Sequence, residues 1–168
     1  DARRLTLDDE SLRKRVERIV PPDSAIRIIH TYRELRASRG APATPWDLWC
    51  AIQTGRLIRV PAVRFAAECA RAGCSTYAYQ FDWESPFADG TLGACHGLEQ
   101  PFVFGTHPLL PEFAGASREA FELAENVQDA WLSFVQIGNP THPRIPPWPR
   151  FALPRRATFL LDDGCRVK

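Results

Sequence analysis

The stretch Gly93-Ala94-Cys95-His96-Gly97-Leu98-Glu99-Gln100-Pro101-Phe102-Val103-Phe104-Gly105 sets one histidine between two glycines and follows it with an apolar block. Small residues crowd the approach, and a glycine directly after the histidine permits a tight turn. A histidine so placed can be aimed at a cleft without its neighbours blocking access. That makes His96 the candidate for general acid–base work. Just upstream, Ser75-Thr76-Tyr77-Ala78-Tyr79-Gln80-Phe81-Asp82-Trp83 is the best strand signal in the chain, short, aromatic-rich and preceded by a glycine turn. A loop with Pro86 and Gly90 joins the two stretches. Open α/β sheets carry catalytic groups on loops just beyond strand ends, and His96 has that placement.

Working outward, helices dominate. Thr6-Leu7-Asp8-Asp9-Glu10 starts one, with acids at its positive end, and Leu12, Val16, Ile19 and Val20 recur at helical spacing before Pro21-Pro22 stops it. A second begins near Asp23 or Ser24 and is expected to bury Ile26, Ile29, Tyr32 and Leu35, with His30 beside that stripe as an ordinary structural histidine. Thr44-Pro45-Trp46-Asp47 has the capping residue, proline and acid of a helix start, and the helix carries Leu48, Ile52 and Leu57. Val60-Pro61 is expected to open a separate alanine-rich helix through Val63, Ala66, Ala67 and Ala70, stopped by Gly73. The longest helix begins at Ser117, with Ala120, Leu123, Ala124, Val127, Trp131, Phe134 and Val135 on one face, and Gly138-Asn139-Pro140 ends it. After a proline-dense loop, Ala157-Thr158-Phe159-Leu160-Leu161-Asp162 reads as a final short strand turned by Asp163-Gly164. Helices around two strands predict part of an α/β layered fold.

Composition narrows the function. The chain has 168 residues, 45% hydrophobic and 24% charged, which suits one globular domain. A formal net charge of +1 gives no electrostatic case for nucleic acid or an anionic membrane as partner. No apolar run approaches the roughly 18 residues of a membrane span, and no secretory signal is present. Cys50, Cys69, Cys74, Cys95 and Cys165 form no C-x-x-C pair, and their odd number speaks against a closed disulfide framework. A reducing, cytoplasmic setting is the expectation. The sequence contains no methionine and starts at Asp1, which reads as a piece of something longer. Lys14 and Lys168 are the only lysines among 21 basic residues, a bias expected of a GC-rich, bacterial genome.

Three readings of His96 stand side by side on the residues alone. It can be a catalytic base, a zinc ligand, or a histidine satisfied within its turn. His96 and Glu99 form an H-x-x-E pair, for which a third metal ligand would have to come from His107 or His142. A base needs a nucleophile and an orienting acid, and the nucleophile-elbow signature Gly-x-Ser-x-Gly is absent. Ser75 and Ser85 lack the flanking glycines, and Cys95 reads as a small buried side chain.

Several pieces in one order bring a resemblance into view. They are Arg59-Val60-Pro61-Ala62, Tyr77-Ala78-Tyr79-Gln80-Phe81-Asp82, the Gly93–Gly105 stretch, Gln128-Asp129-Ala130-Trp131-Leu132-Ser133-Phe134, Gly138-Asn139-Pro140, Trp148-Pro149 and Thr158-Phe159-Leu160-Leu161-Asp162. From Val60 to Val167 the chain resembles the C-terminal portion of type-B carboxylesterases, the cholinesterase-like branch of the α/β-hydrolase fold. Thr6 to Gly55 fits the preceding helices more loosely. The resemblance implies residues 1–168 as the C-terminal portion of a single α/β-hydrolase domain, mostly helices around a few strands of an incomplete sheet. It implies His96 as the general base of a Ser–Glu/Asp–His triad, Glu99 as a supporting residue that orients the turn, and Leu98 as a residue lining the acyl or alcohol pocket. It further implies carboxylic-ester hydrolysis of a small-molecule substrate with no metal and no cofactor.

The departures from that family pattern are equally specific. The family's acid follows a Gly-Thr-x-x-Asp-Glu type motif ahead of the first helix here, and this sequence has no such motif. Asp8, Asp9 and Glu10 are explained as helix-start residues. Gly55 stands where an aspartate is common before the Arg-x-x-Arg-x-Pro pattern. The expectation is therefore the last third of an esterase, inactive by itself. The alternative is a cholinesterase-like module used for binding, in which the fold persists and the triad does not.

Overall fold

The computed structural model describes residues 7–168, which form two compact units parting between Arg64 and Phe65. Thr6, part of the expected first helix start, lies outside the described residues.

The first unit is built from three helices, α1 (Asp9–Glu17), α2 (Pro22–Ala37) and α3 (Pro45–Thr54). Asp8 caps α1 by accepting a hydrogen bond from the Ser11 N–H at 2.8 Å. Thr44 and Asp47 form the reciprocal capping box at the start of α3. Leu7, Leu12, Val16, Ala25, Leu48 and Ile52 make the core. The face of α2 differs from the expected one: Ile26 and Leu35 are exposed, while Ala25 is fully buried and Ile28, Ile29 and Tyr32 pack beside it. Those four follow the i, i+3, i+4, i+7 rule, whereas the expected set steps by three and drifts round the helix, and the small Ala25 lets the helix come close to its partners.

No break separates α3 from the next helix. Gly55–Arg59 form a π-helical segment closed by the Val60 N–H on the Gly55 carbonyl, and α4 (Val60–Arg71) continues from it. Pro61 has no N–H to give to the turn before it, so the chain meets it through the wider π turn. Gly55 itself is buried, and a Cβ there would overlap the Tyr32 hydroxyl. Any side chain at position 55 would meet Tyr32.

The second unit carries the sheet. β1 (Tyr79–Phe81) pairs in parallel with β2 (Phe159–Leu161), in register Tyr79 with Phe159 and Phe81 with Leu161. β3 (Arg166–Val167) adds antiparallel to β2 after the Asp163-Gly164 turn, and was not anticipated from its two residues. β1 is therefore an edge strand among the described residues. The long strand expected over 75–83 shortens to three residues, since backbone pairing to β2 fixes only that part. Two short helices, α5 (Gln100–Val103) and α6 (Pro111–Ala114), precede the long α7 (Arg118–Ile137).

Ser117 caps α7 by accepting from the Ala120 N–H, and Gly138 ends it in the left-handed region at φ +71°. Ala120, Leu123, Ala124, Val127 and Ala130 bury its inner stripe against Leu98, Phe102, Phe159 and Leu161. The stripe stops sooner than its periodicity suggests. Val135 is 81% exposed, and Phe134 reaches only the edge of Tyr77, ring centroids 5.9 Å apart. None of the described helices is long and apolar enough to cross a membrane.

Candidate active site

The His96 loop is held at both ends by the second unit's own core. On its approach, Ser85 and Gly93 form an antiparallel bridge, with the Ser85 N–H donating to the Gly93 carbonyl at 3.1 Å. That ties the loop to the segment leaving β1. Ser85 is almost wholly buried; its hydroxyl donates to the Phe113 carbonyl at 2.6 Å and accepts from the Phe87 N–H at 3.2 Å. The indole N–H of Trp83 donates to the Ala114 carbonyl at 2.9 Å. Both side chains therefore spend their polar atoms on backbone, which explains why Ser85 is scaffolding and not a nucleophile. Its sequence signal was the Ser-Pro turn pair at 85–86.

Between the two halves of the bridge the chain makes a left-handed turn. Ala88 (φ 49°, ψ 54°) and Asp89 (φ 55°, ψ 43°) both adopt the conformation that side chains disfavour. Phe87 and Leu92 from this turn, with Leu109, Leu110, Phe113 and Glu112, line a largely apolar cavity of about 390 Å³. A second cavity of about 290 Å³, lined by Asp82, Trp83, Glu84, Asp162 and Asp163, lies at the carboxyl ends of β1 and β2. Arg166 neutralises part of its charge by pairing with Asp162 at 2.5 Å.

The motif itself then resolves residue by residue. Leu98 N–H bonds back to the Cys95 carbonyl at 3.3 Å, so Cys95–Leu98 is a tight turn with His96 and Gly97 at its centre. Gly97 has φ +81°, as the third position of a type II turn demands. His96 sits exposed at the tip. Among the described residues nothing holds its ring by hydrogen bond or ion pair. Leu98 is fully buried in the core cluster and lines neither cavity. Pro101 opens α5, and Phe102 is fully buried beside Phe81 and Trp83, at 5.2 and 5.9 Å between ring centroids. Gly105 (φ +65°) closes the helix, with the Thr106 N–H on the Pro101 carbonyl and the Gly105 N–H on the Phe102 carbonyl. Gly97, Gly105, Leu98 and Phe102 thus have structural duties, and among the described residues the His96 ring has no bonded partner.

Glu99 is half-buried, and its charge reaches both Cys95 and Tyr79. Burial pushes the Cys95 thiol up, and the Glu99 carboxylate adds to that shift. The Tyr79 phenol is raised for the same two reasons in the same order. A thiol held protonated is a poor nucleophile, so Cys95 is set aside. The metal reading also loses its ligands. Among the described residues no group of three or more His, Cys, Asp or Glu side chains is placed to hold an ion. His107 is buried between the rings of Phe102 and Phe121, and the other ring in question, His142, bonds the Asn126 carbonyl at 3.1 Å.

Known proteins share the sequence pattern and the fold of this chain. Residues 7–165 match the model of the carboxylesterase family. The chain is 33% identical over 143 residues to phenmedipham hydrolase of Pseudarthrobacter oxydans, covering 82% of this chain and 29% of that enzyme. It is 34% identical over 119 residues to the para-nitrobenzyl esterase of Bacillus subtilis, covering 70% and 24%. The structure superposes on a Geobacillus stearothermophilus carboxylesterase with TM-score 0.79 and 31% identity, covering all of this chain and 34% of that one. The chain thus spans about a third or less of the length of these relatives.

Proposed function

Since the chain belongs to the carboxylesterase family, we propose that it supplies the general base of a serine esterase that hydrolyses small-molecule carboxylic esters. His96 is that base. In this reading it takes the proton of a serine hydroxyl as the oxygen attacks the ester carbonyl, and returns it to the departing alcohol. The serine and the triad acid belong to polypeptide outside these 168 residues, whose sequence contains no Gly-x-Ser-x-Gly. Glu99 is the supporting residue that orients the turn. Leu98, buried behind the turn, is the residue we assign to the wall of the acyl or alcohol pocket that the rest of the protein completes.

One observation carries the reading: an exposed histidine without structural work, at the tip of a turn whose flanks are locked by the Ser85–Gly93 bridge and by buried Leu98 and Phe102. A base must be positioned without being occupied, and His96 meets both conditions. The test is His96→Ala in the full protein that carries this segment. Hydrolysis of a chromogenic short-chain ester should fall by about 10⁴- to 10⁶-fold with the melting temperature unchanged. Activity retained within tenfold would refute the assignment. The 168-residue chain alone should show no turnover above that of its own His96→Ala variant.

A further inference from the structure

We infer that Cys69 and Cys74 form a redox-active pair, a site for a reversible intramolecular disulfide at the end of α4. The geometry comes from the way that helix stops. Gly73 lies in the left-handed region at φ +79°. The Cys74 N–H donates to the Cys69 carbonyl at 3.0 Å, and the Gly73 N–H donates to the Ala70 carbonyl at 3.1 Å. These two bonds are the six-to-one and five-to-two pair of a Schellman motif. Cys69 and Cys74 therefore occupy the two positions whose side chains meet across such a motif, where an apolar contact is usual.

The hydrogen bond also limits the distance. Laid end to end, the links from one Cα through the carbonyl and the hydrogen bond to the other Cα come to about 7 Å. The bends in that path bring the Cα atoms into the roughly 4.4–6.8 Å range that a disulfide spans. Both thiols are free, Cys69 partly buried and Cys74 exposed. A C-x₄-C spacing carries no familiar sequence signal, so only the helix ending brings the pair together.

The chemistry is thiol–disulfide exchange with a small-molecule disulfide such as oxidised glutathione. The exposed Cys74, as thiolate, attacks one sulfur of that disulfide and releases one thiolate. Cys69, as thiolate, then attacks the Cys74 sulfur of the mixed disulfide and expels the second. Two protein thiols are oxidised, one small disulfide is reduced to two thiols, and the two protons pass from the protein to the released thiolates. The product bridges the last turn of α4 to the segment that leads into β1.

The experiment equilibrates the full 168-residue chain in buffers of reduced and oxidised glutathione, natively and in concentrated urea, then quenches with acid and alkylates. Trypsin cuts after Arg71, between the two cysteines, so a bridge leaves the peptides beginning at Phe65 and Ala72 joined. Fragmentation then separates Cys74 from Cys95 on the second peptide. The expected result is a Cys69–Cys74 link whose effective thiol concentration is at least tenfold higher in the native chain than in urea. Gly73→Ala, which strains the left-handed position, should lower the native value severalfold, and Cys69→Ser should leave Cys74 as the mixed disulfide. Equal values in native and unfolded chain, or a bridge that uses Cys95 in place of Cys74, would overturn the inference.

Discussion

His107 shows how a single side chain can couple the turn region to pH. It is 4% exposed, its ring stacks on Phe102 at 5.3 Å and meets Phe121 edge-on at 4.7 Å, and among the described residues neither ring nitrogen has a hydrogen-bond partner. Burial disfavours the charged imidazolium and pulls its pKa below the ordinary histidine value. The unfolded chain then binds the proton first as pH falls. Stability is at its full value above about pH 6.5 and declines from there towards the lowered native pKa. Thermal melts between pH 5 and 8 should show this decline, and His107→Phe should flatten it; an unchanged pH profile in the variant would remove His107 from the explanation. Ala88 makes a second case. Its left-handed backbone, at φ 49°, carries a steric penalty that glycine lacks, so Ala88→Gly should stabilise the chain by about 1 kcal/mol. Chemical denaturation that finds a loss instead would mean the turn is held differently.

Among elements, the joint between α3 and α4 is the most instructive. Gly55 is helical, so alanine there would ordinarily gain about 1 kcal/mol of helix propensity. Here its Cβ would overlap the Tyr32 hydroxyl, and Gly55→Ala should instead destabilise by about 1–3 kcal/mol. Combined with Tyr32→Phe, which removes the hydroxyl, the same change should become neutral or favourable. A double-mutant cycle that shows no coupling would disprove the steric account. The sequence could not reveal this, because the clash joins positions 32 and 55 across two helices. Local chemistry is legible in the sequence: the Thr44–Asp47 box, the Ser117 cap and the Gly73 and Gly138 stops all lie within four residues. Helix faces were harder. On α2 the expected stripe steps by three and drifts round the helix, and the buried one keeps to a single face by taking the small Ala25 in place of Ile26. The His96 stretch was legible because its glycines and its buried Leu98, Pro101 and Phe102 all lie within thirteen consecutive residues. The supports from Trp83 and Ser85 were not, since their partners lie 31 and 28 residues away.

At the scale of the molecule, apolar surface is conspicuous. Val135, Leu109, Phe104 and Ile137 are each more than 70% exposed, and β1 presents an unpaired edge among the described residues. Contiguous exposed apolar area and open edges mark surfaces made to be covered. The 168-residue chain by itself should bind a hydrophobic dye and self-associate at micromolar concentration, as light scattering would show; a dye-negative monomer would mean that these side chains are simply tolerated. The parallel pairing of β1 with β2 has a consequence in time. Tyr79 meets Phe159, eighty positions further along the chain, and the His96 turn lies inside the loop that this pairing closes. On the ribosome, at about 5–20 residues per second, roughly 4–16 s separate the synthesis of the two strands. Throughout that interval Leu98 and Phe102, behind the histidine's turn, lack Phe159 and Leu161 as core neighbours. Their seating is complete only when the trailing strand emerges and pairs, so the order of translation puts part of the histidine's support late in synthesis.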